Sequence, residues 1–412
     1  MTFPESSTSL TVFAGSWNIN DNHKTLGALH QWLNPGLSNP DLVVLGFQEF
    51  DSSKDAYFEN NAKTSGLWID ETISLLNRAS TTGTYSLLSS SQLVGMLILV
   101  FAKDTLIQES ITQVDASMVG TGLGRILGNK GAVAVRFNIG STSFVFINSH
   151  FNAHVPNVQR RNEDFRDICQ RMLFFSDVNS DIPRATVEDL LSRPSQDEDS
   201  VIQAQNEFQC ARSTYTAPPV QPSTDGLTRI GDHDVIVWLG DLNYRVELDR
   251  ADLMTHIAEE NWGKLYAHDQ LNREMAAGRV FQGFTELVPA FPPTYKFDIG
   301  TNNYDSSKKQ RNPAFCDRVL WRIPTAPGYA LQPSIFDSLR TLCNSDHKPV
   351  FLGFCVSFPA ARFAGPERVS PQKKTGYLRS IFASYLRKHS VLVVTVTFVI
   401  SFSICHLLLT SS

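Results

Sequence analysis

The chain has 412 residues, 42% of them hydrophobic and 19% charged, enough apolar material for one large core and too much for a disordered chain. Its 36 Lys/Arg and 41 Asp/Glu leave a formal charge of −5, which excludes the generally basic surface of a nucleic-acid coat. The six cysteines show neither CxxC nor zinc-type spacing, the usage of reduced thiols in a cytosolic setting.

In chain order, the first residues carry no basic stretch followed by an apolar core, so no secretory signal is expected. Leu10–Ile19 and Asp41–Phe47 are apolar runs rich in Val, Ile and Phe that predict strands. Val94–Ala102, Ala132–Ile139 and Ser143–Ser149 read the same way, and the last two, joined around Gly140-Ser141, predict a hairpin. Val158–Phe174 gathers Val158, Phe165, Ile168, Cys169 and Met172 on one face and predicts a helix. Residues 176–232, with SDVNSD, RPSQDEDS and APPVQPSTDG, predict an inserted loop holding at most a short helix at Ala185–Leu191. Asp234–Leu239 is a strand, Asp252–Trp262 a helix, and Arg318–Arg322 and Pro349–Val356 are the final strands. Many strands with interspersed helices argue an α/β sandwich rather than a βαβ repeat.

The C-terminal region differs in kind. From Pro359 to Ser390 there are seven Lys/Arg and one acidic residue, a local +6 that leaves −11 for the remainder. Residues 391–409, VLVVTVTFVISFSICHLLL, contain no formal charge apart from the titratable His406. As a helix they span about 28 Å, against roughly 30 Å of bilayer hydrocarbon. The expected organisation is a catalytic body over 1–358, a basic linker over 359–390 and a transmembrane anchor over 391–409. Basic flanks sit on the cytoplasmic side of a span, so the body is expected to face the cytosol. Each basic residue near an anionic leaflet adds about 1 kcal/mol of attraction.

Polar residues cluster where apolar strands end. Asn18 and Asn20 close the first strand and Glu49 the second, while His150 closes a later one with His154 following. Asp241 and Asn243 follow VIVWL, Asp317 opens a late strand, and Asp346 and His347 precede the last. Carboxylates and amides without a cysteine–histidine cluster favour Mg²⁺ over zinc. A carboxylate–histidine pair plus a cation can hydrolyse a phosphate ester. Tyr295, Lys296, Lys309 and Arg311 place cations shortly before Asp317, which in an acidic body suggests further phosphate groups on the substrate. Asp317 could instead pair with its neighbour Arg318, and Trp17, Trp238 and Trp321 read as core aromatics.

WNIN, GFQEF, GNKGAVAVRF, NSHFNAH, WLGDLNYRV, FPPTYKFD, KKQRNPAFCDRVLWR and SDHKP occur in this order between Val12 and Val356. The ordered set resembles the inositol polyphosphate 5-phosphatases of the DNase I-like superfamily. The apolar C-terminal stretch makes the chain similar to fungal tail-anchored members acting on phosphatidylinositol 4,5-bisphosphate at the endoplasmic reticulum. The resemblance implies a four-layer α/β sandwich, two packed mostly antiparallel sheets flanked by helices, with a C-terminal transmembrane helix. It implies that Glu49 binds Mg²⁺, helped by Asn18 or Asn20. It implies that His347, held by Asp317, activates or orients water, and that Asp241 and Asn243 align the nucleophile, with His150 and Asp346 lining the pocket. Tyr295, Lys296, Lys309 and Arg311 would grip a 4-phosphate, Lys130 a 1-phosphate, and His154 would lie on the substrate side. Two positions depart from the family pattern. Asp21 stands where a glycine usually follows WNxN, and Asn152 where alanine is frequent. The implied reaction is loss of the 5-phosphate from a membrane phosphoinositide, with no nucleic-acid partner. A phosphodiesterase acting on nucleic acid or sphingomyelin, or an inactive phosphoinositide-binding scaffold, are the alternatives.

Overall fold

The apolar runs become strands where both of their faces are covered. The computed structural model describes residues 7–33, 39–53, 56, 62–175 and 227–359. One sheet comprises β1 (Ser7–Asn18), β2 (Leu42–Gln48), β3 (Tyr85–Leu93), β4 (Met96–Lys103), β12 (Ala330–Ser338) and β13 (Val350–Pro359), in the order β12-β13-β1-β2-β4-β3. The other comprises β5 (Ile111–Gly120), β6 (Gly131–Ile139), β7 (Thr142–His150), β10 (Val235–Asp241) and β11 (Asp317–Arg322), in the order β11-β10-β7-β6-β5. Within these sheets β1 pairs with β2, and β7 with β10, in parallel, while the other pairings are antiparallel.

Alternation along each strand sorts its side chains into layers. Val12 and Ala14 of β1 join Val44, Ile98, Val135, Phe146 and Val237 in a cluster between the sheets. Phe13 and Trp17, one residue out of phase, pack with Trp32 of α1 (Leu29–Trp32) and Trp68 of α2 (Ala62–Ala79) on the outer face of the first sheet. Ala134, Ile147 and Trp238 of the second sheet meet Phe165 and Ile168 of α4 (Val158–Arg171). The result is helix, sheet, sheet, helix, the four layers that the family resemblance implies. The hairpin also lies where expected: Ile139 faces Thr142, and Gly140 takes φ 59°, the positive value that a two-residue turn of this hand requires.

The two parallel pairs determine where the chemistry lies. Asn18 is in register with Gln48, and His150 with Asp241, so both pairs end on polar residues. Gln48 Nε2 donates across the sandwich to Asn148 Oδ1 at 2.6 Å, and Asn18 Nδ2 to Asp241 Oδ2 at 3.0 Å. The carboxyl ends of strands from both sheets therefore converge at one end of the core.

Some boundaries differ from expectation. The helix expected over Asp252–Trp262 is two: α5 (Arg250–Ala258) is capped by Asp249, whose side chain accepts from the Ala251 and Asp252 amides, and α6 (Trp262–Ala267) is capped by Asn261. A further helix, α7 (Gln270–Ala276), follows, and α3 (Asp104–Glu109) links β4 to β5. The inserted loop gives way to structure before residue 232, because β9 (Leu227–Arg229) pairs with β8 (Leu173–Phe175). No helix among the described residues is long and apolar enough to cross a membrane. The expected span over 391–409, residues 360–390 of the linker and residues 176–226 of the inserted loop lie outside the described residues.

Candidate active site

Asp241 ends β10 with 1% of its surface exposed, and four groups converge on it. Asn18 Nδ2 donates to its Oδ2 at 3.0 Å and the Asn243 amide to its Oδ1 at 3.0 Å, while His150 Nε2 is 3.3 Å and His347 Nε2 3.8 Å from Oδ2. Burial would favour the neutral acid, but His347, His150 and Lys130 outweigh it and hold the carboxyl well below the usual range.

His347 is held from its other nitrogen. Nδ1 lies 2.9 Å from Asp317 Oδ2, which also accepts from Thr294 Oγ1 at 2.7 Å. Burial opposes protonation of His347, yet Asp317 and Asp241 prevail and push its pKa up to about 10. Asp317 itself is pushed upward by burial, with Asp241 adding to the effect. The imidazole is therefore a cation between two buried carboxylates. The backbone is fixed as well: the His347 amide donates to Ser345 Oγ at 3.1 Å, Ser345 Oγ to Asn18 O at 2.7 Å, and Trp17 Nε1 to His347 O at 3.3 Å. The pairing of Asp317 with Arg318 that the sequence left open is absent. Arg318 points the opposite way along β11 and meets Asp269 at 2.8 Å and Glu286 at 2.5 Å.

Glu49 and Asn20 occupy the adjoining strand ends, with φ of 49° and 51°. Asp21 is also left-handed, at φ 53°, and its amide donates to Glu49 O at 2.8 Å. That conformation accounts for the family's glycine, and aspartate is among the few residues that tolerate it. Among the described residues, the Glu49 carboxylate has neither a hydrogen-bond nor an ion-pair partner, and Gln48 Oε1 beside it is buried without one. Glu49 and Asp241 both act electrostatically on Lys130. Asn18 Oδ1 accepts from the Asn20 amide at 3.0 Å, so Asn18 is committed in part to orienting its neighbours. A free carboxylate at the strand ends that also carry Asn18 and Asn20 fits a hard divalent cation. Asp241, Asp317 and His347 also place one ligand atom each within 4.8 Å of one another, and hydrogen bonds with Asn18, Asn243, Thr294 and His347 Nδ1 already engage the two carboxylates.

The expected substrate residues divide between two cavities. Lys296, Lys309, Arg311 and Asp346 line one of about 550 Å³, together with Lys308. Lys296 is ion-paired to Asp346. Arg250 holds this rim in shape by donating to Arg311 O at 2.8 Å and Asp305 O at 3.0 Å. Lys130, His154, Asn152 and Arg160 line another of about 490 Å³. Lys130 Nζ contacts His150 Nε2, so a continuous line of contacts runs Lys130, His150, Asp241, His347. Tyr295 lines neither cavity: its ring is 8% exposed and sits 4.6 Å from the His347 ring. Arg245 was not singled out from the sequence, although it lies within WLGDLNYRV. Its guanidinium sits 4.4 Å over the Tyr295 ring, and its Nε donates to Asn243 O at 3.0 Å.

The profile of endonuclease/exonuclease/phosphatase family 2 matches residues 15–353. The type II inositol 1,4,5-trisphosphate 5-phosphatase of Mus musculus is 36% identical over 342 residues, covering 82% of this chain and 29% of the relative. A phosphatidylinositol 4,5-bisphosphate 5-phosphatase of Saccharomyces cerevisiae is 30% identical, covering 84% of this chain and 31% of its own length. The chain thus spans about a third of these curated relatives. The crystal structure of a synaptojanin inositol polyphosphate 5-phosphatase domain, solved with inositol (1,4)-bisphosphate and calcium, is similar with a TM-score of 0.65 and 29% identity, over 95% of this chain and 94% of that one.

Proposed function

The chain belongs to endonuclease/exonuclease/phosphatase family 2, and from that membership and its buried polar cluster we propose that it hydrolyses the 5-phosphate of phosphoinositides. The substrate in this reading is phosphatidylinositol 4,5-bisphosphate and the product phosphatidylinositol 4-phosphate. The observation that carries it is the convergence of Asn18, Asn243, His150 and His347 on the single carboxylate of Asp241.

Glu49, with Asn20 and Asn18, would hold Mg²⁺, which when bound supplies positive charge against the phosphoryl oxygens and the departing inositol oxygen. The remaining steps belong to side chains. Asp241, anionic and oriented from two sides, accepts a hydrogen bond from the attacking water and aligns it. Its Asn18 and Asn243 contacts fix which oxygen faces the nucleophile, so little reorganisation is needed in the transition state. His347, carrying its proton, is an electrostatic donor rather than a base, and Asp317 sets its tautomer and charge. As the phosphorus–oxygen bond to the inositol breaks, His347 is placed to stabilise the developing negative charge. Lys130 and His150, in contact with each other, line the far side of Asp241. Lys296, Lys309 and Arg311 form a rim able to receive a second phosphate, in keeping with a 4,5-bisphosphate. Residues 391–409 would anchor this body at the cytosolic face of a membrane that also holds its substrate. The length of the stretch suits the thinner endoplasmic reticulum bilayer.

The test is phosphate release from a panel of phosphoinositides and soluble inositol phosphates, with and without Mg²⁺, by the full chain and its Asp241→Ala variant. The expected result is Mg²⁺-dependent release of the 5-phosphate, falling by a factor of about 10³ or more in the variant at unchanged circular dichroism. Equal rates in the two proteins would overturn the assignment.

A further inference from the structure

Next to the loop that carries Asp346 and His347, a thiol and an amine are in contact. Cys343 Sγ lies 3.1 Å from Lys348 Nζ. Lys348 is 1% exposed, and its amine also donates to Leu342 O at 3.0 Å and Thr301 O at 3.3 Å. It therefore ties the His347 loop to the segment that continues from Lys296. Cys343 is only partly buried, whereas Cys316 is sealed at 0% exposure, so a small solute reaches the first thiol and not the second. Burial also lowers the pKa of the Lys348 ammonium, favouring the amine form that bears a lone pair.

We propose that Cys343 and Lys348 are an oxidation site, joined by hydrogen peroxide into a thiol-reversible sulfur–nitrogen cross-link that disables the His347 loop. In the first step the Cys343 sulfur attacks one peroxide oxygen, forming an S–O bond as the O–O bond breaks. The departing hydroxide takes the thiol proton and leaves as water; sulfur is oxidised by two electrons and peroxide is reduced. In the second, the Lys348 lone pair attacks sulfur, an N–S bond forms, and the S–O bond breaks. That hydroxide leaves as water with one amine proton. A thiol then reverses the product by attacking sulfur and releasing the amine. The cross-linked nitrogen retains one hydrogen and cannot serve both Leu342 O and Thr301 O. Its sulfur contact of 3.1 Å must also shorten by about 1 Å, since even a sulfur–sulfur bond is only ~2 Å long. Both changes act one residue from His347. The chemistry of the pair stands alone; its effect on turnover rests on the proposed phosphatase function.

The experiment treats the full chain with hydrogen peroxide and follows both peptide mass and phosphate release. Trypsin cuts after Arg340 but not between Lys348 and Pro349, so both residues stay in one peptide; Cys355, which lies in that peptide too, is replaced by Ser in every protein compared, so that no disulfide can give the same mass change. That peptide is expected to lose two hydrogen atoms and to regain them with dithiothreitol. Phosphate release should fall about tenfold or more and return in parallel. Cys343→Ser should keep its activity through the same treatment, and in Lys348→Arg the oxidation should stop at a sulfenic acid that dimedone traps. A wild-type peptide of unchanged mass, or one that gains only oxygen, overturns the cross-link. Loss of activity in Cys343→Ser at the wild-type rate, or a cross-linked protein with undiminished turnover, overturns the switch. If no phosphoinositide is hydrolysed even before oxidation, the functional reading fails while the mass result still decides the cross-link.

Discussion

Arg245 lies 7% exposed behind the reacting groups, and it reaches them through others. Its forked guanidinium contacts both Asn243 O and Asn243 Oδ1, and it lies against Tyr295, whose ring neighbours His347. A lysine would retain the charge but not the fork. Arg245→Lys is therefore expected to lower kcat by about 10- to 100-fold with KM held within a factor of about two. Steady-state kinetics separate the cases, for a rise in KM at constant kcat would make Arg245 a substrate contact and not a positioning residue. The carboxylates, amides and histidines of the candidate site stand out in the sequence because each lies at or near one end of an apolar strand. Arg245 was not, because its role is defined by a ring fifty residues away that only the fold brings to it. The choice between Arg318 and His347 as partner of Asp317 was likewise open until strand direction fixed it. Neighbouring strand residues face opposite sides, so Asp317 and Arg318 cannot share a pocket.

Gly240 shows how a strand delivers its terminal residue. It has φ 142°, and a Cβ added there would fall 2.1 Å from Ser149 O on the paired strand β7. Gly240→Ala is expected to cost about 3 kcal/mol or more and to lower activity further than the loss of folded protein explains, since Asp241 would be pushed from His150. Thermal melting and turnover per folded molecule check this. Gly263→Ala on α6, where nothing lies within 4 Å of the added carbon, is the control and should stabilise by roughly 0.5–1 kcal/mol. Strand legibility followed burial, for β11 lies at a sheet edge but is almost wholly buried and reads as a strand. β2, β4, β6, β7 and β10, each with two neighbours, are almost wholly buried and read as apolar runs. β3, β5 and β12 are edge strands with one neighbour each and much exposed surface, and none was anticipated. β12 even carries Pro333, with a register shift between Pro333 and Ile335, which only an edge accommodates. Helix α2 was missed for a related reason: its buried stripe of Trp68, Thr72 and Leu76 is narrow and one-third polar.

Across the molecule, two buried groups that make no contact with the Asp241 carboxylate give opposite dependences of stability on pH. His233 Nδ1 lies 2.9 Å from Arg229 O, while its Nε2 is buried with no acceptor. Burial, reinforced by Arg136, pushes its pKa down from 6.5 to about 4. The unfolded chain then binds the extra proton first, so stability is full above pH 6.5 and falls as pH drops to 4. Asp164 on α4 is buried too, and burial pushes its pKa up from 3.8 to about 6 despite the Asn152 amide at 2.8 Å and the nearby Arg160. Here the folded state takes the proton first, so stability is gained as pH falls from 6 to 3.8. Each contribution is about 3 kcal/mol, and the windows nearly coincide, so in the parent protein they offset each other. Asp164→Asn keeps the oxygen that accepts the Asn152 amide but removes the titration. Between pH 6.5 and 4 its stability should decline by about 3 kcal/mol more than that of the parent, read from urea denaturation at each pH. His233→Phe should show the reverse, a relative gain on acidification, because only Asp164 then titrates. If either variant runs parallel to the parent across this range, the group it lacks is not buried in the charge state described, and the compensation between the insertion-proximal His233 and the helix-borne Asp164 does not operate.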